Sequence, residues 1–317
     1  MPNGLHYEWA LRALKAGKHV LVEKPSVSNA VEAEKLFGFH AAMPHATRPV
    51  LLEAFHFRFH PAWHTFLSLL DPLQIENVRS DMSAPAGFLR KNDIRFNYEL
   101  GGGATMDMGT YNIAVIRGVF GDEPEECVAA TARTRSDRKV DGAMTASFRF
   151  PGGGTAEMEA DLAMKGRLGL PWIKVPSVVV RHKEVVVEDG TITEGQEHVR
   201  RRTVTFWNFI APVVVHDIEV REEHVVRVKE GGNVVRSWVD KEKKKAYTWT
   251  VPGKNGEVRV GEAFWTTYRH MLEQFANKIK GRPGSGAWVD GEDSVKQMKV
   301  IDAVYEKAGL PKRGALE

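Results

Sequence analysis

Near the start of the chain, Leu5, Trp9 and Ala13 recur at four-residue spacing, with Ala10 and Leu14 beside them. This spacing predicts a helix over residues 5–16 with one apolar face. Asn3 stands where it can cap that helix, and Gly17 supplies the left-handed position beyond its last turn. His19-Val20-Leu21-Val22 is short, apolar and rich in β-branched residues, the pattern of a buried parallel strand, and it ends at Glu23-Lys24-Pro25. Asn29 with Glu32 three residues on has the form of a capping box and opens a helix to about residue 42. Residues 49–54 form a second apolar strand. Helix, strand, helix, strand with short loops is the alternation of a doubly wound α/β sheet. Two parallel strands alone leave their edges and faces uncovered.

Further along, the rhythm changes to a period of two. A strand is expected over residues 75–84, and Leu100-Gly101-Gly102-Gly103 leads into a helix over residues 105–120. Met144, Ala146, Phe148 and Phe150 alternate with polar residues. Pro151-Gly152-Gly153-Gly154 turns the chain, and Ala156, Met158, Ala160 and Leu162 alternate on the way back. That is an antiparallel hairpin with one wet and one dry face. Strands are also expected over residues 177–181, 184–188, 203–209, 213–220 and 224–228, making a large, mostly antiparallel sheet. Phe264, Tyr268, Leu272, Phe275 and Ile279 fall on one helical stripe, and residues 294–308 form a last helix, stopped by Gly309 and Pro311.

Composition narrows the class. The 317 residues fit about two domains of roughly 150 each. The chain is 43% hydrophobic and 27% charged, as soluble globular proteins are. No apolar stretch has the length of about 18 residues that a membrane span needs. The opening residues lack the basic and apolar regions of a secretory signal. A single cysteine, Cys127, excludes an internal disulfide and a cysteine-cluster metal site. The cytosol is the expected location. Net charge is only +3. The basic runs Arg200-Arg201-Arg202 and Lys241-Glu242-Lys243-Lys244-Lys245 read as solvated turns between strands, so no nucleic-acid or membrane partner is expected. His56 and His60 are four apart but flank an extended aromatic run before Pro61, and no metal site is expected there.

Three segments carry a family resemblance. The first runs from Pro2-Asn3 through His6, Trp9-Ala10, Ala13-Leu14 and Ala16-Gly17-Lys18-His19 to Val22-Glu23-Lys24-Pro25. The second is Glu53-Ala54-Phe55 with Arg58-Phe59-His60-Pro61. The third is Gly102-Gly103-Ala104-Thr105-Met106-Asp107-Met108-Gly109-Thr110-Tyr111. In order, they resemble the glucose–fructose oxidoreductase, inositol dehydrogenase and rhizopine-catabolism (Gfo/Idh/MocA) family. The pattern is most similar to its NADP-linked D-xylose and dihydrodiol dehydrogenases, where a segment like Asn208-Phe209-Ile210-Ala211-Pro212 with His216 also occurs. The resemblance implies a C-terminal remnant of a Rossmann domain over residues 1–55. An α+β domain with a large open antiparallel sheet follows over residues 56–317. The family's G-x-G-x-x-G turn is not found ahead of Glu23. Gly101–Gly103 and Gly152–Gly154 do not sit in a βαβ unit, as that fingerprint requires. The expectation is that roughly 80 residues of the family pattern are missing before Met1.

The resemblance also implies a chemistry: hydride transfer between NADP (or NAD) and a sugar or trans-dihydrodiol carbinol. Such a reaction needs a proton-transfer group and a cation near the developing alkoxide. Lys24 lies just past a parallel strand's C-terminal end, where ligands bind in open α/β sheets. Its ammonium would bond the substrate oxygen and pull a neighbouring pKa down. Asp107 and Tyr111 are four apart and share a helix face. By resemblance, Tyr111 is the general acid/base, and Asp107 positions substrate or Lys24. Glu23 and Pro25 shape the loop, and the resemblance places them near the nicotinamide. Asn3 and His6 either approach the cofactor or serve as a cap and a solvated side chain. Arg58 either contacts cofactor or braces the domain junction. A homodimer through the C-terminal sheet is a further expectation. The alternative reading is a non-catalytic dinucleotide-sensing regulator, or an inactive fragment, of the same fold. A sensor has no need of Lys24, Asp107 and Tyr111 together, which favours the enzyme.

Overall fold

The computed structural model describes residues 1–253 and 256–314. Two layers of structure share one hydrophobic core. The first begins with α1 (His6–Lys15), β1 (Val20–Val22), α2 (Ala30–Ala42) and β2 (Leu51–Glu53). β1 and β2 are parallel, with Val20 opposite Leu51 and Val22 opposite Glu53. Gly17 takes φ 68°, as a residue after a helix end must where the chain reverses sharply. Asn29 caps α2, its side chain accepting from the Glu32 N–H.

After α3 (Pro61–Leu67) comes β3 (Ile75–Pro85), and then α4 (Thr110–Phe120), which is entered through a π turn over Thr105–Gly109. The sheet is completed by β4 (Glu126–Thr134), β5 (Asp141–Arg149), β6 (Thr155–Met164), β7 (Ser177–His182), β8 (Val185–Val187), β9 (Gln196–Trp207), β10 (Asp217–Val228) and β11 (Val234–Lys244). Its order is β11-β10-β9-β7-β3-β6-β5-β4, with β8 on β9. Only β3 and β6 pair in parallel. The β5–β6 hairpin sets Phe148 opposite Ala156 and Ala146 opposite Met158. All four are buried, so large and small side chains alternate on the dry face. A small hairpin, β12 (Trp249–Gly253) and β13 (Gly256–Val260), precedes α5 (Thr267–Ile279) and α6 (Gly291–Lys307). α6 packs on α2 and β2 on one side and on α4 and β4 on the other. One continuous cluster therefore joins Leu14, Leu36 and Leu52 to Phe148, Ile301 and Val304. No helix among the described residues is long and apolar enough to cross a membrane.

Several expected details are corrected. In α1 the buried stripe is His6, Ala10 and Leu14, one position on from the expected one, and Trp9 is 49% exposed. A two-stranded sheet offers α1 a narrow surface, and the Trp9 ring instead carries the Arg12 guanidinium at 5.2 Å. Asn3 does not cap α1; its amide donates to the Gly101 carbonyl at 3.1 Å. In α5 the buried side is Thr267, His270, Met271 and Gln274, while Tyr268, Leu272 and Ile279 face outward and Phe264 lies exposed ahead of the helix. Gln274 finds a partner inside, accepting from the Ser285 N–H. The basic runs lie within strands rather than turns. Arg200 and Arg202 both pair with Glu222 across the β9–β10 ladder, which lets charge sit on the wet face of a strand. The lysine run overlaps the edge strand β11, where charge opposes pairing with another chain. The expected strands at 213–220 and 224–228 are one strand, β10. Its central Arg221-Glu222-Glu223 hides the alternation, and residues 213–216 belong to the preceding turn.

The C-terminal tail is fixed by a buried ion pair. Arg313 and Asp141 are both fully buried and 2.8 Å apart. The other Asp141 oxygen accepts from the Thr105 N–H and hydroxyl, and Arg313 also donates to the Gly102 carbonyl. Replacing Arg313 by Leu leaves a buried carboxylate without its cation. The expected loss is about 3–5 kcal/mol of unfolding free energy. Urea unfolding checks this, and a loss below about 1 kcal/mol would show that Thr105 and Tyr305 satisfy Asp141 without the cation.

Candidate active site

At the C-terminal end of β1 the chain leaves the sheet through Glu23, Lys24 and a cis peptide to Pro25. Parallel strands end with their side chains facing a crevice, and here the crevice is closed from above by the π turn. The cleft has a volume of about 530 Å3. Asn3, His6, Glu23 and Lys24 line it from the first layer, and Arg95, Gly102, Gly103, Asp107, Tyr111 and Tyr268 from the second. The glycines are required by crowding. A Cβ on Gly103, which has φ 143°, would stand 2.2 Å from an Asp141 oxygen.

Asp107 joins the two sides. Lys24 Nζ donates to its main-chain oxygen at 2.6 Å and to its Oδ1 at 3.2 Å, and Arg95 Nε donates to its Oδ2 at 2.7 Å. Burial alone would raise the pKa of this carboxyl. The two cations outweigh it and hold Asp107 below the ordinary aspartate value. It is therefore a carboxylate at neutral pH and orients Lys24 and Arg95 rather than carrying a proton.

Tyr111 is buried with its ring under Lys24, whose Nζ is 4.5 Å from the ring centre. Its hydroxyl lies 2.9 Å from His56 Nε2. The expected lowering of its pKa is corrected. Burial raises it well above 10, and Tyr268, Asp107 and Glu23 raise it further. Lys24 sits over the ring and uses its N–H bonds on Asp107, so its charge is not spent at the hydroxyl. Tyr111 is consequently a phenol, a proton donor, throughout the neutral range.

His6 is buried, with Nδ1 2.8 Å from the Pro25 carbonyl and Nε2 3.2 Å from that of Met1. Burial lowers its pKa, against the pull of both carbonyls. Pro25 and Arg58 do not line the cleft. Arg58 pairs instead with Asp293 at the start of α6, beside the Arg117–Asp293 and Arg117–Glu123 pairs. Arg95, His56, Thr267 and Tyr268 were not singled out as site residues from sequence. His56 lies just past β2 as Lys24 lies just past β1, and a strand's C-terminal end is a usable signal. Arg95 lies in a short 3-10 turn capped by Asp93, too short for any periodicity to mark it. Among the described residues, no group of three or more His, Cys, Asp and Glu side chains could hold a metal ion.

A short parallel βαβ edge thus faces a helix-backed, mostly antiparallel sheet across the cleft. Residues 1–43 match the model of the oxidoreductase family with an NAD-binding Rossmann fold, and residues 74–193 match the GFO/IDH/MocA C-terminal domain. The chain belongs to the Gfo/Idh/MocA oxidoreductase family. It is 27% identical over 312 residues to a D-xylose 1-dehydrogenase (NADP(+)) of Haloferax volcanii, covering 97% of this chain and 76% of that protein. It is 30% identical over 148 residues to a trans-1,2-dihydrobenzene-1,2-diol dehydrogenase of Xenopus tropicalis, covering 47% of this chain and 43% of that one. A crystal structure of a 3-ketoreductase from Actinomadura kijaniata, in complex with NADP and TDP-benzene, shares the fold at a TM-score of 0.67. Its identity is 22%, over 99% of this chain and 78% of that one.

Glu53, from the second motif, has a different part. It closes β2 fully buried, and its Oε1 accepts from the Ser26 N–H at 2.8 Å. Burial pushes its pKa up to about 7; Asp293 adds to this, while Ser294, the Ser26 N–H and Arg58 oppose it. The folded state thus holds this proton more tightly than the unfolded state. The stabilisation is complete below about pH 4.5 and is lost as pH rises through about 7, amounting to about 3 kcal/mol. Glu53→Gln should remove that loss. Its unfolding free energy should gain on the parent protein as pH climbs from 5 to 8.5, read from urea curves at each pH. A pH-independent difference would mean that Glu53 is ionised when folded.

Proposed function

We propose that this cleft carries out hydride transfer between NADP (or NAD) and a carbinol or carbonyl carbon of a sugar or trans-dihydrodiol. The observation that carries the reading is the meeting of Lys24, Asp107 and Tyr111, from separate layers, at the end of a parallel strand. A bound nicotinamide supplies the site that gives or takes the hydride. The residues present suit that end of a dinucleotide. Asn3, Glu23 and Lys24 offer polar contacts for a carboxamide-bearing ring, His6 ties the loop to the Pro25 and Met1 carbonyls, and Leu100 and Met82 form an apolar wall. Pro25 backs this loop, and Arg58 braces α6. No G-x-G-x-x-G turn occurs in the chain to receive a pyrophosphate. On this reading residues 1–55 serve the cofactor, and residues 56–317 supply the substrate wall and scaffold.

In the reducing direction the Tyr111 phenol gives its proton to the substrate oxygen. Lys24, fixed by Asp107, steadies the negative charge that grows on that oxygen. Asp107 stays ionised throughout and sets the Lys24 ammonium. In the oxidising direction a raised tyrosine pKa makes proton removal harder, so turnover should increase towards alkaline pH.

The test is turnover of D-xylose and of trans-dihydrodiols with NADPH/NADP and NADH/NAD at high cofactor concentration. Lys24→Met and Tyr111→Phe should each lower kcat by about a hundredfold. The double variant should fall well short of the product of the two. Near-normal turnover in Tyr111→Phe would remove Tyr111 from the role.

A further inference from the structure

His56 is the buried imidazole behind Tyr111. Its Nδ1 is 2.8 Å from Thr267 Oγ1, and its Nε2 is 2.9 Å from Tyr111 Oη. Tyr268 stacks on the ring face, with centres 4.1 Å apart and planes 23° from parallel. Thr267 and Tyr268 are consecutive at the start of α5, so one helix end grips the imidazole by edge and by face. Burial, with the nearby Lys24 charge, lowers the His56 pKa to about 3. The ring is neutral at physiological pH.

A neutral imidazole has one N–H and one lone pair. If Thr267 donates to Nδ1, then Nε2 carries the proton and donates to the Tyr111 oxygen. The phenol's own proton is then free to face the cleft. If Nδ1–H donates to Thr267, Nε2 takes the phenol proton and turns it away from the cleft. The second arrangement leaves the hydroxyl proton of the buried Thr267 with no other acceptor among the described residues.

We propose that His56 is a positioning residue for Tyr111: Thr267 holds the imidazole in its Nε2–H form, and that N–H turns the Tyr111 proton into the cleft. The proposal rests on the reading of Tyr111 as the proton-transfer group. Tyr111 and Lys24 meet the reacting atoms in this scheme, and His56 does not. His56 acts by orienting, and the tautomer is what it contributes.

The tautomer is read in the 317-residue chain by 15N NMR of histidine-labelled protein, with His56 assigned from its loss in His56→Gln. The expected signals are an unprotonated, pyridine-type Nδ1 and a protonated, pyrrole-type Nε2. Thr267→Val should shift the ring towards Nδ1–H. A parent protein with Nδ1–H, or a tautomer unmoved by Thr267→Val, overturns the proposal. In turnover assays, His56→Leu should lower kcat about tenfold, the scale of one lost hydrogen bond, with KM for NADPH unchanged. His56→Gln, whose amide can donate to Tyr111, should recover most of that. Equal loss in both variants also overturns it. Full activity in Tyr111→Phe would sink the reading of the site instead, while the NMR result stands on its own.

Discussion

The carboxylate of Asp107 is the point at which the two layers are tied. It takes Lys24 from the end of β1 and Arg95 from the loop after β3, and it sits on the π turn that leads into α4. Without the cations, burial would raise the pKa of this carboxyl. With both cations it is an ion at neutral pH, and both cations are immobilised by it. The geometry of the cleft follows from that one charge. Lys24 cannot swing out to solvent without leaving Asp107 half paired, and Arg95 cannot leave without opening the wall formed by its loop.

Burial first, and charge second, sets the protonation states behind it. Tyr111 sits between burial and two carboxylates, all of which favour the phenol. His56 sits between burial and an ammonium, which favour the neutral imidazole. These directions complement each other. A neutral imidazole beside a protonated phenol is a hydrogen-bonded pair with no net charge, and a buried site can hold such a pair without the cost of desolvating an ion. Protonating His56 would place a second positive charge behind Lys24. The cleft thus separates a charged front, Lys24 with Asp107 and Arg95, from a neutral rear, Tyr111 with His56 and Thr267.

Much of this was legible in the sequence. Strand positions survive because period-two alternation reports burial directly: Met144, Ala146 and Phe148 could hardly lie elsewhere than on a dry face. Lys24, Asp107 and Tyr111 came from the family resemblance, with the strand end and the four-residue spacing beside it, and they do share a cleft. Three kinds of information were not legible. Helix faces were misjudged where the apolar stripe was not the buried one, as with Trp9 in α1 and Leu272 in α5, because exposure depends on what the helix lies against. Charged strands were misread, as at Arg221-Glu222-Glu223, because cross-strand partners such as Arg202 are not visible along the chain. The direction of the Tyr111 shift was also missed. Proximity to Lys24 suggested a lowered pKa, but a cation over a ring face is not a cation at a hydroxyl.

The far end of the chain completes the site from behind. Gly102 and Gly103 line the cleft, yet their backbone is held from the opposite side. The Gly102 carbonyl accepts from Arg313, and the Asp141 carboxylate bonded to Arg313 also accepts from Thr105 at the start of the π turn. Tyr305 of α6 donates to the same carboxylate. A Cβ at Gly103 would collide with Asp141, so the loop must be glycine for the tail to reach it. The tail must in turn be present for the loop to have a fixed back. Asp107 stands four residues beyond Gly103, and its N–H donates to the Gly103 carbonyl. The position of the Asp107 carboxylate, and through it the Lys24 ammonium, is therefore set by a buried ion pair that touches neither. This accounts for Arg313 being a charged residue kept wholly out of water so near the end of the sequence. An apolar side chain could fill the space, but it could not hold a glycine carbonyl and an aspartate carboxylate in register with the cleft.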